Sequence, residues 1–313
     1  MKIPRHCLCL SLALSAAAAA QQPIAAIDFE PGAGAGLLFT RDSDGFDMQR
    51  TTVEAMPYLR DANHFAGLRL SRSTFKQEGW RRHGTRVTLA GRHVNAVDST
   101  GWQGEIGVQE QNEHRLLTFD GAYRHEWQPG TGIEFFASRD WIETRPALDQ
   151  GRSFTFAGAA LDQVLSPHFT VAAVLGHQAF SDHNARNHGR ARLIYQPSLD
   201  LGLTVQARYL TYRSREDDVG GAYFNPGRYQ EAMAAIGWRQ NFQGWQTYLL
   251  AGLGREKIDS DSGQTTRLAS IDIKSPWRGL QFFKLGAGFM HNSANWGPGY
   301  DYRYLNLEWQ MIL

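Results

Sequence analysis

The chain has 313 residues, 42% of them hydrophobic, 12% aromatic and 20% charged, and its 32 Lys plus Arg nearly cancel 31 Asp plus Glu. This balance excludes a strongly basic nucleic-acid binder, and 17 Phe, 11 Tyr and 9 Trp exclude an acidic disordered chain. A mean hydropathy of −0.42 argues against a bundle of membrane helices, each of which needs about 20 consecutive apolar residues. A soluble globular protein and a closed membrane β-barrel remain.

Residues 1–20 read as a signal peptide. Lys2 and Arg5 give a cationic start, Cys7 to Leu14 an apolar core too short to span a membrane, and Ala18-Ala19-Ala20 a small-residue cleavage site before Gln21. Both cysteines, Cys7 and Cys9, fall inside it. The mature chain is therefore expected to lack disulfides, thiolate catalysis and Cys-metal sites, and no cofactor is implied. Residues 21–33 read as a short periplasmic segment and 34–313 as one domain.

After Gln21 the dominant signal has period two, because successive side chains of a strand point to opposite faces. Strands are predicted at 34–43, 48–59, 64–76, 84–96, 101–112, 115–127, 131–143, 153–165, 169–181, 187–197, 201–214, 229–242, 245–258, 264–275, 280–292 and 300–313. In 115–127, Leu117, Phe119, Gly121 and Tyr123 alternate with Thr118, Asp120, Ala122 and Arg124. In 201–214, Leu203, Val205, Ala207 and Tyr209 alternate with Thr204, Gln206 and Arg208. The last segment is the clearest, with Leu305, Leu307, Trp309, Met311 and Leu313 on one face and Asn306, Glu308 and Gln310 on the other.

The linkers alternate in length. Those at 61–63, 129–130, 166–168, 197–200, 243–244 and 275–279 are short; those at 77–83, 144–152, 182–186, 215–228, 259–263 and 293–299 are mostly longer and more polar; the linker near 97–100 fits loosely and that at 113–114 breaks the trend. Short turns on one side and long loops on the other are the layout of an outer-membrane barrel. The strands are longer than the five or six residues usual in soluble sheets, and no repeat of about 40–50 residues marks a propeller. The predicted fold is all-β: a transmembrane antiparallel barrel of about sixteen strands (about 14–18 remain open), with both ends in the periplasm of a Gram-negative cell. Tyr58, Trp127, Trp245 and Trp277 fall near its periplasmic ends and Trp80, Trp141 and Trp296 near its outer ends, where interface girdles are expected. The final strand resembles the assembly signal of outer-membrane proteins, which implies the barrel assembly machinery and outer-membrane lipid as partners.

Pleat phase assigns an inward face to Arg69, Arg86, Arg92, Glu105, Asp120, Arg124, Glu134, Arg192, Arg208, Glu231, Arg239, Asp272, Lys274, Lys284 and Glu308. Such charges are costly in lipid but can pair or be hydrated in a lumen. They read either as a cross-linked wall that stiffens the barrel or as a polar conduit, since sixteen strands leave an aqueous channel unless loops plug it. A lining of mixed sign suits a neutral or weakly charged solute such as a sugar polymer.

The longest loop, 215–228, starts acidic and ends aromatic and turn-forming. Tyr223, Phe224, Asn225, Arg228 and the following Tyr229 are its candidate substrate residues, because aromatic faces with hydrogen-bonding groups suit carbohydrate. The same loop could fold onto its own aromatics, or into the lumen as the constriction loop of a general porin. The run Ala222-Tyr223-Phe224-Asn225-Pro226-Gly227-Arg228-Tyr229, followed by an alternating strand, resembles a Tyr-aromatic-Ser/Asn-Pro-x-x-Tyr element. That element belongs to the C-terminal barrels of exopolysaccharide export proteins, namely the cellulose synthase outer-membrane subunit and the poly-N-acetylglucosamine export porin. The YaiO-type outer-membrane barrel family is similar too. The export resemblance implies a barrel of about sixteen strands that passes exopolysaccharide in biofilm formation. Those proteins carry helical tetratricopeptide repeats before the barrel. Here only about a dozen residues are expected there, so in export the periplasmic scaffold would be a separate protein or absent.

A competing class is an outer-membrane lipid hydrolase with a Ser/His site. His177, Ser181, His183, Asn184 and His188 cluster near one outer loop, and His291 and Ser293 near another. Ser and His must lie within hydrogen-bond reach for such chemistry, and no Gly-x-Ser-x-Gly elbow accompanies them. No metal-ligand spacing stands out, and the balance of the sequence favours transport without bond chemistry.

Overall fold

The computed structural model describes residues 30–216, 218–277, 280–294 and 297–313. The proposed signal peptide and Trp296 lie outside them. The chain forms β1 Glu30–Asp42, β2 Asp47–Asp61, β3 His64–Gln77, β4 Trp80–Val94, β5 Gly101–Gln111, β6 His114–Gln128, β7 Thr131–Trp141 and β8 Ser153–Ser166. It continues through β9 Phe169–Phe180, β10 Ala185–Ser198, β11 Leu203–Ser214, β12 Arg228–Phe242, β13 Trp245–Ile258, β14 Gln264–Lys274, β15 Gln281–Ala294 and β16 Gly297–Ile312. One short helix, α1, Arg145–Asp149, lies between β7 and β8.

Every neighbour in sequence is a neighbour in the sheet, and β1 pairs with β16 to close an antiparallel barrel. The closing register runs from Gly32 opposite Ile312 to Asp42 opposite Tyr302. Closure leaves no unpaired edge, which is what a sheet in lipid requires. A side chain at Gly32 would not fit this seam: its Cβ would lie 2.3 Å from Leu59 Cδ2 and 2.8 Å from the Met311 carbonyl oxygen.

Both termini lie on one rim, here the terminal rim, and the opposite one is the loop rim. Connections on the terminal rim include the two-residue turn Gln243-Gly244, where both residues take positive φ (49° and 81°). That is the type I′ geometry whose twist matches a hairpin. The loop rim carries the two longest connections, 142–152 and 215–227. The linker expected as a long loop at 77–83 is instead a tight turn at Glu78-Gly79, with Trp80 already in β4. The stretch 21–33 is already strand from Glu30.

The pleat separates two surfaces. Leu89, Leu175, Leu253 and Phe135 are exposed on the outer wall, an apolar band that only lipid would cover. Residues of opposite phase, such as Arg86, Thr88, Gln206 and Thr204, are buried on the inner wall. Tyr58, Trp127 and Trp245 are exposed on the outside near the terminal rim, as expected of a girdle. Trp80 and Trp141 depart from that expectation, because both are buried at the loop rim in a cluster with Leu38, Phe46, Met48, Phe75, Leu116 and Leu148. Trp80 shares the pleat phase of Arg82, Gly84 and Arg86, so it turns inward. Trp277 likewise packs against Met56, Leu59 and Ile312 at the terminal rim.

Candidate functional site: the lumen and its infolded loops

The predicted inward residues all lie on the face opposite the lipid-facing apolar side chains, on β3 to β7 and on β10, β11, β12, β14, β15 and β16. What joins them differs around the wall. From β2 to β8 they form a mesh of ion pairs. Arg69 meets Glu54 at 2.7 Å and Glu105 at 3.0 Å. Arg86 bonds Asp140 at 2.5 Å and Gln109 at 2.8 Å. Arg124 holds both oxygens of Asp162, with Nη2–Oδ2 at 2.7 Å, the bidentate geometry that makes Arg–carboxylate pairs strong. Lys284 and Glu308 pair at 3.2 Å on the seam side.

On the far wall Arg192 stands directly opposite Arg208, and on the seam side Lys274 stands directly opposite Lys284. Like charges at such positions repel. Glu231 lies within electrostatic reach of Arg208. Gln206 donates to Tyr248 Oη at 3.0 Å, and the Arg239 guanidinium lies 5.7 Å from the centre of the Tyr248 ring. Between the charges the lumen face is rich in uncharged hydrogen-bonding groups: Ser71, Ser73, Thr88, Gln109, Gln178, Thr204 and Gln310.

Sequence reasoning missed Glu54, Asp140, Asp162 and Tyr248 among the inward residues. Glu54 and Tyr248 carry the right pleat phase, but the apolar residues around them blur the alternation. Asp162 sits in a strand, SFTFAGAALDQVLS, that is apolar on both faces.

Two loops turn into the loop-rim mouth. Thr144 caps α1, its hydroxyl accepting from the Ala147 N–H, as residues of this type do at helix starts. Leu148 and Ala147 drive the turn of this loop inward: Leu148 joins the β1–β7 cluster and Ala147 a second one with Phe154, Phe156, Phe180 and Tyr223. Polar tethers fix it from the other side. Trp80 Nε1 donates to Asp149 at 3.0 Å, and Arg50 on β2 pairs with Glu143 at 3.0 Å.

The 215–227 loop packs its aromatic end against β9 to β12. Arg186, only 2% exposed, is the peg. Its guanidinium carbon lies 4.9, 5.1 and 5.5 Å from the ring centres of Phe180, Tyr212 and Tyr223. Its Nη2 donates to the Phe224 carbonyl and to Asn225 Oδ1. Tyr223 stacks on Phe180 at 4.6 Å and Tyr229 on Tyr212 at 4.9 Å. The Tyr223 phenol donates to Asp182, and burial holds it well above its ordinary pKa, so it stays a donor. Of the proposed substrate residues, Tyr223, Phe224, Asn225 and Tyr229 are thus buried and their faces are taken by protein, while Arg228 is exposed on the rim. The loop's Tyr223 and the following Tyr229 stack on Phe180 of β9 and Tyr212 of β11, so they pack on the wall at the loop-rim mouth.

The residues weighed for hydrolysis are dispersed. His177 faces outward and bonds Asn187 at 2.8 Å, whereas His188 faces inward and bonds Gln178 at 3.0 Å. Ser181 Oγ accepts the Ser153 N–H, and His183 sits in a turn at φ 71°. Asn184 is buried, donating to Tyr223 and Asn225. His291 pairs with Asp301 at 2.8 Å. The side chain of Ser293 is outside the described atoms. Among the described residues no group of three or more His, Cys, Asp or Glu is placed to hold a metal.

No protein-family profile matches the chain, and no curated protein matches it. Solved structures do. The chain resembles a bacterial polysaccharide outer membrane secretin at a TM-score of 0.69, with 12% identity, covering 92% of this chain and 99% of that one. It also aligns with OpdQ of Pseudomonas aeruginosa at a TM-score of 0.44, with 9% identity over 91% of this chain and 99% of that one. A third alignment is with the KdgM porin at 0.32, with 11% identity over 90% and 99%. The closed barrel of sixteen antiparallel strands with its exposed apolar outer wall, a fold shared with the secretin, is that of an outer-membrane β-barrel.

Proposed function

We propose that this barrel is an outer-membrane pore that passes carbohydrate, and that its solute is an exopolysaccharide leaving the cell. The observation that carries the reading is the inward face itself: charged side chains that stay partly exposed to the barrel interior, among them Arg69, Glu105, Asp120, Glu134, Arg239 and Glu308, set among buried Ser, Thr and Gln, a polar lining suited to a hydroxyl-rich solute that exchanges hydrogen bonds as it moves. The likeness to the polysaccharide secretin supports it at the level of fold, and fold does not dictate function. With the aromatic faces of the 215–227 loop engaged in packing, the contacts with sugar are assigned to the wall. The terminal rim faces the periplasm in this reading, where a separate scaffold would deliver the polymer. Deleting the gene should remove or sharply reduce surface polysaccharide; unchanged surface polysaccharide would sink the export claim.

One observation favours a second reading. A loop folded into the mouth is also how a general diffusion porin narrows its channel. The two differ in whether oligosaccharides block the current.

A further inference from the structure

The outer wall above the apolar band carries a collar of cations that a role in the lumen leaves unused. Arg41, Arg72, Arg213, Arg255, Arg267 and Arg303 are exposed on the lipid-facing side near the loop rim. Several stand two residues along the strand from an exposed apolar side chain: Arg41 from Phe39, Arg72 from Leu70, Arg255 from Leu253 and Arg303 from Leu305. Two residues of strand span about 7 Å, so these guanidinium groups sit directly above the hydrocarbon rather than far out in water. Three cross-strand pairs there oppose like charges: Arg41 and Arg303, Lys76 and Arg81, Arg213 and Arg228. Such pairs destabilise a sheet unless an anion lies between them. The carboxylates within reach are shared and open to solvent: Asp47 lies 3.5 Å from Arg41 and stands opposite both Arg41 and Lys76, and Asp301 lies 3.9 Å from Arg303 while also bonding His291, so they are weak partners for these cations. Near the terminal rim the same face instead presents Tyr58, Trp127, Phe242 and Trp245.

We propose that this collar binds the phosphate groups of a phosphorylated glycolipid in the leaflet that surrounds the loop rim. Arginine forks match phosphate oxygens, and directly opposed arginines, whose Cβ atoms stand about 5 Å apart, suit a headgroup with more than one phosphate. Bound in this way, the lipid would offset the repulsion within the pairs and fix the barrel's orientation in an asymmetric bilayer.

The test uses the full chain refolded in phosphatidylcholine vesicles, with diphosphorylated lipid A, phosphatidylglycerol or inorganic phosphate added. Lipid retention by native mass spectrometry and the unfolding temperature are the readouts. Lipid A should be retained and should raise the unfolding temperature. The variant R41Q/R303Q/R213Q/R228Q should bind it at least about tenfold more weakly, since each cation near a charged surface contributes about 1 kcal/mol. Equal retention of phosphatidylglycerol, equal stabilisation by inorganic phosphate, or unchanged lipid A binding by the variant would overturn the proposal. Should the variant fail to fold, lipid A retention by the unmodified chain at low and high salt decides: it must fall as salt screens the charges, and salt-insensitive retention counts against the collar.

Discussion

The Thr144 hydroxyl donates to the Ala222 carbonyl at 2.5 Å, so the loops leaving β7 and β11 meet over the loop-rim mouth. The same hydroxyl accepts from Ala147 and caps α1. Capping of one loop and docking of the other therefore run through one side chain. Thr144→Ala removes both. A cap of this kind contributes about 1 kcal/mol, so the barrel should stay folded while the loops loosen. Single-channel recordings should show added gating noise or a larger open current; traces like those of the unmodified protein would separate the loop contact from gating.

Arg186 tests the same device from the other loop. In Arg186→Gln the guanidinium leaves the cage of Phe180, Tyr212 and Tyr223, and the bonds to Phe224 and Asn225 weaken. Each cation–π contact in a desolvated setting contributes about 1–2 kcal/mol. The 215–227 loop should become open to limited proteolysis, with the heat-modifiable mobility of the barrel retained. A protected loop would show that the aromatic stacking alone holds it.

The inner wall yields a double-mutant test. Arg124 and Asp162 are both mostly buried and bonded through two contacts. Removing one partner leaves the other charge poorly paired, which costs about 1–3 kcal/mol or more. Arg124→Ala and Asp162→Ala should each lower the denaturation midpoint, and the double variant should recover much of the loss. Strict additivity would mean that lumen water already solvates both groups.

Arg192 and Arg208 give the pore a sign. Their direct opposition leaves local positive charge on one arc of the wall, while the β2–β8 arc is largely neutralised by its own pairs. Arg192→Gln/Arg208→Gln should move the reversal potential in a salt gradient toward cation preference. No movement would place the current path along a different arc.

Much of the fold was legible because pleat period is a local property. The alternation in 245–258 predicts a strand with the bounds of β13, since Trp245, Leu249, Ala251 and Leu253 take the outward phase and Gln246, Tyr248 and Glu256 the inward one. The loops were not legible in the same way. Whether 144–152 and 215–228 reach outward or fold in depends on Leu148, Ala147 and Tyr223 finding partners on β1–β9, strands far away in sequence. Apolar residues in a supposedly solvated loop were the available signal. Trp80 was placed in a girdle by its position near a strand end, although its phase, shared with Arg86, already pointed it inward. The inward set was read from phase; how its members pair was not, because Arg69 reaches Glu105 across an intervening strand, a relation the sequence does not carry.

The most direct test of the central claim is the conductance of the refolded protein in a planar bilayer, with and without neutral glucan or glucosamine oligomers. A sugar conduit predicts steady current that the oligomers block in a concentration-dependent way. Steady current without block would assign the lumen to general diffusion, and a folded barrel that passes no current, even with Thr144→Ala or Arg186→Gln, would contradict a pore.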